Sequence, residues 1–339
     1  MTIYILKRLL LAGITLLVIL FVSYCLLRLA PGDPTRSNLL GGESAEMQID
    51  AEKGGLAVNR SLREKLNLDK PIAVGFWLWL CAAAGDGDFG ESASVDPGKP
   101  VFDLISERLP VTLMLNLCAV LLTYLLAVPL GVLSAVRAGT LFDKICEFVL
   151  FVLYSLPVMW VGLLFQAFFC EGGVWEVFPL KGASVSDPDK YSIWAVQWEY
   201  IKSCILPVCC LAYGGFASLS RYARSGMLEV AGSEYMRTAR AKGLSETTVI
   251  WKHGFRNALV TMVTLFGGLL PGLVAGSVIV EYVFNIPGMG TLSLLALSSR
   301  DYPLQMALFA FSGVLTLAGI LLADILYLAV DPRIRLSGR

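Results

Sequence analysis

Long apolar runs without a charged side chain divide this sequence. Stretches of at least 18 residues that lack Asp, Glu, Lys and Arg cover residues 9–27, 109–136, 148–170, 203–220, 257–280 and 302–323. A helix needs about 20 apolar residues to cross the hydrocarbon core of a bilayer, which excludes ionised side chains. The pattern therefore predicts an all-α, polytopic membrane protein with six transmembrane helices.

A shorter apolar run, residues 71–85, contains Trp77 and Trp79. Its 15 residues are too few for a perpendicular crossing, and Trp is enriched at membrane interfaces. We expect an interfacial or re-entrant helix here rather than a seventh span.

Positive charges predict the orientation, because Lys and Arg in short connections stay on the cytoplasmic side. With the N-terminus inside, the inner segments carry 14 Lys and Arg residues and the short outer loops 171–202 and 281–301 carry 4. Both termini are therefore predicted to be cytoplasmic. Lys7 and Arg8 also resemble the start of a signal peptide, but the run that follows is long and no small-residue cleavage site ends it.

The predicted organisation has four parts. An N-terminal transmembrane helix (1–30) leads into a long extracytoplasmic excursion between helices 1 and 2 (31–108). A core with five transmembrane helices (109–330) contains the inner loop 221–256, and a cytoplasmic tail (331–339) ends the chain. The excursion is either a solvated cap or a docking surface for a partner outside the membrane. The role of the outer loop 171–202 stays open.

Composition excludes several classes of protein. With 56% apolar and 16% charged residues, the chain is unlike a water-soluble enzyme, and its zero net charge provides no basic field for nucleic acid. The single histidine, His253, rules out a histidine metal cluster or a Ser-His-Asp triad, and no phosphate-binding loop is present. We therefore predict no catalytic, cofactor-binding or metal-binding residues. The oxidation state of Cys81 and Cys170 is left undecided.

The inner loop 221–256 is too long for a simple turn. Ser233 is placed to cap a helix over residues 234–242 that Gly243 ends in the left-handed conformation. Helical periodicity places Tyr235, Met236 and Ala239 on one face. Such an amphipathic helix either enters a groove on a soluble protein or rests on lipid headgroups. Ser245 is placed to cap the next helix.

Segment 234–246, which reads Glu-Tyr-Met-Arg-Thr-Ala-Arg-Ala-Lys-Gly-Leu-Ser-Glu, closely resembles the cytoplasmic loop signature of ABC importer permeases of the oligopeptide, dipeptide and nickel family. Further segments resemble the same family in the same order: residues 28–34, 107–110, 154–157, 224–230, 286–290, 300–303 and 331–335. The resemblance covers nearly the whole chain, and the ordered set is much more specific than any one segment.

The resemblance implies a permease subunit in a bacterial inner membrane, forming half of a translocation pathway for peptides or related small solutes. Its implied partners are a second similar permease, two ATP-binding subunits that hold ATP and Mg, and an extracytoplasmic substrate-binding protein. It also implies an ATPase-coupling helix, made of Glu234, Tyr235, Met236, Arg237, Thr238, Ala239, Arg240, Ala241, Lys242 and Gly243. The sequence does not select among peptides and nickel complexes as solutes, or between a homodimer and a heterodimer of permeases.

Small residues near the fifth span form a possible gate. Glycines spaced by four residues predict a smooth face on one helix, Pro271 interrupts the backbone hydrogen bonds of that helix, and a Pro-Gly turn follows. The residues are Gly268, Pro271, Gly272, Gly276, Pro287 and Gly288. This smooth face is consistent with helix packing within the subunit, and equally with an interface between subunits or a moving pore helix. Two other functions stay open: an ion-coupled secondary transporter that uses Asp324 or Glu281, and a membrane scaffold without a pore.

Overall fold

A computed structural model describes residues 2–29, 67, 69–85, 87–179, 193–258, 272–273 and 276–330. The helices of this part of the chain are α1 (Thr2–Leu29), α2 (Ile72–Gly85), α3 (Val101–Val136), α4 (Leu141–Ser155), α5 (Val158–Phe169), α6 (Ile193–Ala231), α7 (Glu234–Ala241), α8 (Glu246–Thr248), a π-helix (Val249–Gly254), α9 (Val278–Val283), α10 (Met289–Ser298) and α11 (Tyr302–Val330). Only isolated β-bridges join extended segments within these residues.

Within the described residues, four helices are long and apolar enough to cross a membrane: Leu6–Leu29, Val101–Val136, Trp198–Ala231 and Tyr302–Leu322. A bent pair, α4 with α5, makes a fifth candidate. The helical membrane fold is thus confirmed. The predicted fifth window, 257–280, lies mostly outside the described residues, so the arrangement of six crossings stays a prediction.

The predicted third span is not one straight helix. Helices α4 and α5 meet at 94°, and Leu156 and Pro157 between them have extended backbone conformations. Proline has no N–H to donate and disfavours a helical residue before it. The Tyr213 hydroxyl donates to the carbonyl oxygen of Leu156 at 2.5 Å, which satisfies a group that a continuous helix would have bonded internally.

The chain divides into two compact units, residues 1–110 with 291–318 and residues 111–290 with 319–339. In the first unit, α1, α2 and α11 share a core of Leu20, Tyr24, Phe76, Met306 and Ala310. Helix α2 is confirmed as a short apolar helix: Gly75 and Phe76 are buried, whereas Trp77 is 61% exposed.

A buried carboxylate ties a loop of the first unit to the start of α11. Asp301 accepts a hydrogen bond from the Ser92 hydroxyl at 2.5 Å and from the backbone N–H groups of residues 93, 94 and 95 at 3.0–3.1 Å. Its other oxygen accepts from the Leu304 N–H at 3.2 Å. The carboxylate thus caps α11 and fixes the 92–95 loop with one side chain.

In the second unit, α3 and α6 approach closely at a glycine. A Cβ placed on Gly131 would lie 2.7 Å from the Cβ of Ala223 and would also collide with the carbonyl oxygen of Ser220. Small residues at a helix contact allow this approach. The surrounding core contains Ala127, Val132, Leu219, Ala223, Met227 and Ala258.

All eight cysteines, including Cys81 and Cys170, are free thiols. Cys81 is exposed, whereas Cys170 is buried at the end of α5.

Candidate functional site

The predicted coupling helix is present as α7, Glu234–Ala241. Lys242 is its C-cap, one residue earlier than predicted, and Gly243 follows in the left-handed conformation with φ +73°. Ser233 occupies the N-cap position of α7 with an extended backbone, as predicted, but its hydroxyl donates to the Val230 carbonyl and makes no hydrogen bond to the helix N-terminus.

One face of α7 packs against the chain itself. Met236 is 0% exposed and Ala239 is 5% exposed, and both contact Val249 of the π-helix. A Cβ on Gly254 would lie 3.1 Å from the terminal methyl groups of both Met227 and Met236. The glycine therefore leaves room for Met236 to reach the C-terminal part of α6, which carries Met227.

The prediction that Tyr235, Met236 and Ala239 form one apolar face of α7 is wrong, because Tyr235 is exposed whereas the other two are buried. Met236 and Ala239 are three residues apart and turn inward, whereas Tyr235 is 42% exposed. Adjacent helical residues point about 100° apart, so a helix that buries Met236 cannot also bury Tyr235 against the same surface. The remaining predicted residues are exposed: Glu234, Arg237, Thr238, Arg240, Ala241, Lys242 and Gly243.

The segment after α7 starts as predicted and then departs from an α-helix. Ser245 caps α8 by accepting the Thr248 N–H at 3.4 Å, which confirms that prediction. The π-helix Val249–Gly254 follows, and no sequence signal indicated it. Across the turn, Arg240 donates to a Glu246 carboxylate oxygen at 3.0 Å. This pair links α7 to α8, so both belong to one folded loop.

A buried ion pair beside this loop was missed by sequence reasoning. Asp143, 2% exposed, receives two 2.8 Å hydrogen bonds from the Arg224 guanidinium. The Ser134 hydroxyl and the Gly139 N–H also donate to Asp143, and Glu147 lies 3.3 Å from Arg224. The sequence signal was limited to the presence of acidic residues in segment 137–147 and basic residues in segment 221–256, without any indication of which residues pair. The pair joins the first turn of α4 to α6 just ahead of Met227.

The predicted gate residues do not form one glycine stripe. Gly268 and Pro271 lie outside the described residues. Gly272 is helical and exposed, with no atom within 4 Å of a Cβ placed there. Gly276 has φ +70°, so it leaves the helical path and cannot extend the stripe.

Gly276 and Gly288 instead surround a buried carboxylate. Glu281 is 2% exposed, and the Thr112 hydroxyl donates to it at 3.1 Å. Cβ atoms placed on Gly276 or Gly288 would lie 2.5 Å from a Glu281 oxygen, and one on Gly290 would lie 3.0 Å away. The turn that contains Pro287 and Gly288 is therefore shaped around Glu281, whose carboxylate only glycine can approach so closely.

No group of three or more His, Cys, Asp and Glu side chains suited to a metal ion occurs in the described parts of the chain. His253 lies within the π-helix and is half-buried. The side chain of Asp324 is outside the described ones.

Two family models match the sequence and together span most of it. Residues 127–336 match the family of binding-protein-dependent transport system inner membrane components. Residues 1–116 match the N-terminal region of membrane components of binding-protein-dependent transport systems.

Curated relatives match over nearly their full lengths. The oligopeptide transport system permease protein AppB of Bacillus subtilis (strain 168) is 39% identical, with 98% of this chain and 99% of the relative covered. The dipeptide transport system permease protein DppB of Lactococcus lactis subsp. cremoris (strain MG1363) is 32% identical, with 98% and 99% covered. The inner membrane ABC transporter permease protein YejB of Escherichia coli O157:H7 is 31% identical, with 99% of each chain covered.

Among solved structures, a chain of the MetNI methionine ABC transporter in inward-facing conformations aligns at 16% identity and a TM-score of 0.49. The alignment covers 68% of this chain and 97% of that one.

Proposed function

Since this chain belongs to the family of binding-protein-dependent transport system inner membrane components, we propose that it forms half of the translocation pathway of an ATP-driven peptide importer. Relatives at 31–39% identity over almost the whole chain are named as oligopeptide, dipeptide and ABC transporter permeases, which supports this function. The subunit lies in the bacterial cytoplasmic membrane, moves peptides or related small solutes, and performs no covalent chemistry itself.

The proposed topology has six crossings with both termini in the cytoplasm. The 14 positive residues of the inner segments, against 4 in the short outer loops, support this orientation. It places α7 and the Asp143–Arg224 ion pair on the cytoplasmic side. The Glu281 turn and the 92–95 loop then lie outside.

The proposed complex contains a second similar permease, two ATP-binding subunits and an extracytoplasmic binding protein. ATP and Mg belong to the ATP-binding subunits. The family description, which ties these membrane components to a binding protein, supports the general arrangement. The subunit numbers follow from the resemblance alone.

The observation that carries the coupling role is the division of α7 into two faces. Met236 and Ala239 fasten the helix to the subunit, so α7 has a fixed position relative to α6. Tyr235, Arg237 and Thr238 remain exposed beyond that surface. An amphipathic helix held in this way can seat its outer face in a groove of an ATP-binding subunit. Movement of that subunit then reaches α6 through Met236.

The outer face of α7 is tested by charge reversal with a matched control. Arg237→Glu changes the charge on α7, and Lys252→Glu makes the same change at an exposed position of the π-helix. We expect Arg237→Glu to reduce co-purification of the ATP-binding subunits and Lys252→Glu to leave it intact, because a misplaced charge acts most strongly inside the contact. Equal co-purification of both variants would remove α7 from the interface.

The alternative of ion-coupled transport receives no support from the relatives. In addition, the Glu281 carboxylate is engaged by Thr112 and enclosed by Gly276 and Gly288. Uptake that persists without ATP hydrolysis in reconstituted vesicles would instead favour an ion-coupled transporter over an ATP-driven importer.

A further inference from the structure

Helix α4 is attached to the rest of the second unit by few buried side chains. All 15 of its residues are described, and two of them, Asp143 and Leu150, are buried. Leu141, Phe148 and Phe151 on the same helix are 66–74% exposed. The position of α4 therefore depends on a small number of contacts.

Polar contacts with α6 hold both ends of α4. At the start, the Arg224 guanidinium donates from Nε and Nη2 to the two carboxylate oxygens of Asp143, each at 2.8 Å. Nη1 of Arg224 also lies 3.3 Å from a carboxylate oxygen of Glu147, one turn further along α4. At the end, the Tyr213 hydroxyl donates to the carbonyl oxygen of Leu156, directly after α4. Helix α4 is thus held between two side chains of α6.

The Arg224–Asp143 pair fixes geometry more than it adds stability. Well-packed apolar side chains of similar volume stabilise a fold as well as a buried ion pair does, because the pair must first lose its hydration. A guanidinium that donates two parallel hydrogen bonds to one carboxylate restricts both distance and orientation. The Ser134 hydroxyl of α3 and the Gly139 N–H donate to the same carboxylate and hold it in place. The pair is therefore suited to keeping α4 in a fixed position against α6.

Helix α4 also leads towards the turn that contains the predicted gate residues. Beyond the bend, Gly162 of α5 lies so close to α9 that its Cβ would be 3.2 Å from the Val283 side chain. The Gln166 side chain of α5 donates to the Val283 carbonyl. Helix α9 carries Glu281, and the turn with Gly288 is shaped around this carboxylate. The path from α4 through α5 therefore ends at that turn.

We propose that Arg224, through its ion pair with Asp143, is a positioning residue of the transport cycle, an inference that rests on the proposed importer function. Arg224 lies three residues before Met227, whose terminal methyl group is near Gly254 together with that of Met236 of α7. When an ATP-binding subunit displaces α7, α6 is displaced with it, and the ion pair makes α4 follow α6. Without the pair, α6 moves past α4, and ATP hydrolysis is no longer converted into movement of α5 and α9.

Three variants separate this role from stability. The double variant Asp143→Asn with Arg224→Ala buries no uncompensated charge, so it should be more stable than Arg224→Ala alone, but it lacks the link between the helices. Arg224→Lys keeps the charge but cannot form both parallel hydrogen bonds. Lys144→Ala, at an exposed position in the same turn of α4, removes one positive charge without changing the pair and is the matched control.

Each permease is reconstituted with its partner subunits in vesicles, and ATP hydrolysis and uptake of a radiolabelled mixture of di-, tri- and tetra-alanine are measured together. We expect the double variant to hydrolyse ATP while its uptake per ATP falls about 2- to 30-fold, the range for residues that modulate coupling between sites. Arg224→Lys should lie between the double variant and wild type, and Lys144→Ala should equal wild type. Wild-type uptake per ATP in the double variant would overturn the inference, since the pair would then only stabilise the fold.

Hydrogen exchange of the permease alone tests the attachment of α4 without any transport. Backbone amides in the first turns of α4 should exchange faster in the double variant than in wild type or Lys144→Ala, because the contact at Asp143 is lost. Equal exchange in all three proteins would overturn the inference and leave the importer function intact. Uptake by the wild-type complex that needs no ATP would instead contradict the importer function, and with it this coupling role.

Discussion

Removal of the Arg224 guanidinium tests whether the ion pair with Asp143 holds the C-terminal part of α6 in place. Arg224→Ala deletes both 2.8 Å hydrogen bonds to a carboxylate that is 2% exposed. Asp143 keeps the Ser134 hydroxyl and the Gly139 N–H as donors, but no positive charge replaces Arg224 among these contacts. The variant therefore leaves a buried negative charge partly compensated.

The size of the effect follows from burial. Loss of one partner of a buried ion pair costs about 3–5 kcal/mol of the free energy of unfolding. We expect the lower end, about 3 kcal/mol, because the Arg224 side chain is 25% exposed and Asp143 retains two donors. The Arg237–Glu234 pair provides a control, since its side chains are 71% and 87% exposed. Such an exposed pair is worth only about 0.3–0.5 kcal/mol.

The assay is reversible unfolding of the purified permease in mixed detergent micelles, with Arg224→Ala and Arg237→Ala compared side by side. Asp143→Asn and the double variant Asp143→Asn with Arg224→Ala complete a double-mutant cycle. The double variant should be more stable than Arg224→Ala alone, because it no longer buries an uncompensated charge. Losses within about 0.5 kcal/mol of each other for Arg224→Ala and Arg237→Ala would refute the reasoning.

Two other predictions concern packing and orientation. In the same unfolding assay, Gly131→Ala should destabilise the permease by about 1–3 kcal/mol, because the new Cβ would collide with the backbone of Ser220. Gly214→Ala is the control: no atom lies within 4 Å of a Cβ placed there, so this variant should be neutral or more stable by up to about 1 kcal/mol. Equal stability of the two variants would contradict the close contact between α3 and α6. In a cysteine-free background, Asp96→Cys should react with an impermeant thiol reagent added outside and Ser245→Cys only after the membrane is opened. Outside labelling at position 245 would overturn the proposed topology.

The spans were predictable because the bilayer excludes charge wherever a helix crosses it. Charge-free windows identified α1, α3, α6 and α11 without any knowledge of their neighbours. The bend between α4 and α5 was not predictable in the same way. Proline also occurs at position 207 inside α6, where the helix continues. A hydropathy window cannot distinguish Pro157, at the bend, from Pro207. The bend also depends on a contact from another helix, because the Leu156 carbonyl accepts a hydrogen bond from Tyr213.

The segment from α7 to the π-helix, residues 234–254, shows the same division between local and tertiary information. Gly243 ends α7 through its own conformational freedom, and the Ser245 cap joins residues three apart. The buried face of α7 could not be predicted in this way. Helical periodicity shows which residues lie on the same side of the helix, but not which side packs against the rest of the protein. Met236 is buried by contacts near Met227 and Gly254, which the fold brings together. The ion pair between Asp143 and Arg224 spans 81 residues and depends on the fold in the same way.

The length of α6 links these features mechanically. Its 39 residues correspond to about 58 Å, roughly twice the hydrocarbon thickness of a bilayer, so its end extends well beyond the apolar window 203–220. That extension carries Arg224, which is tied to the start of α4, and Met227, which lies next to the buried side of α7. Close packing at Gly131 joins the same helix to α3. We infer that a displacement of α7 is transmitted to α6, and through the contacts of α6 to α3 and to the start of α4.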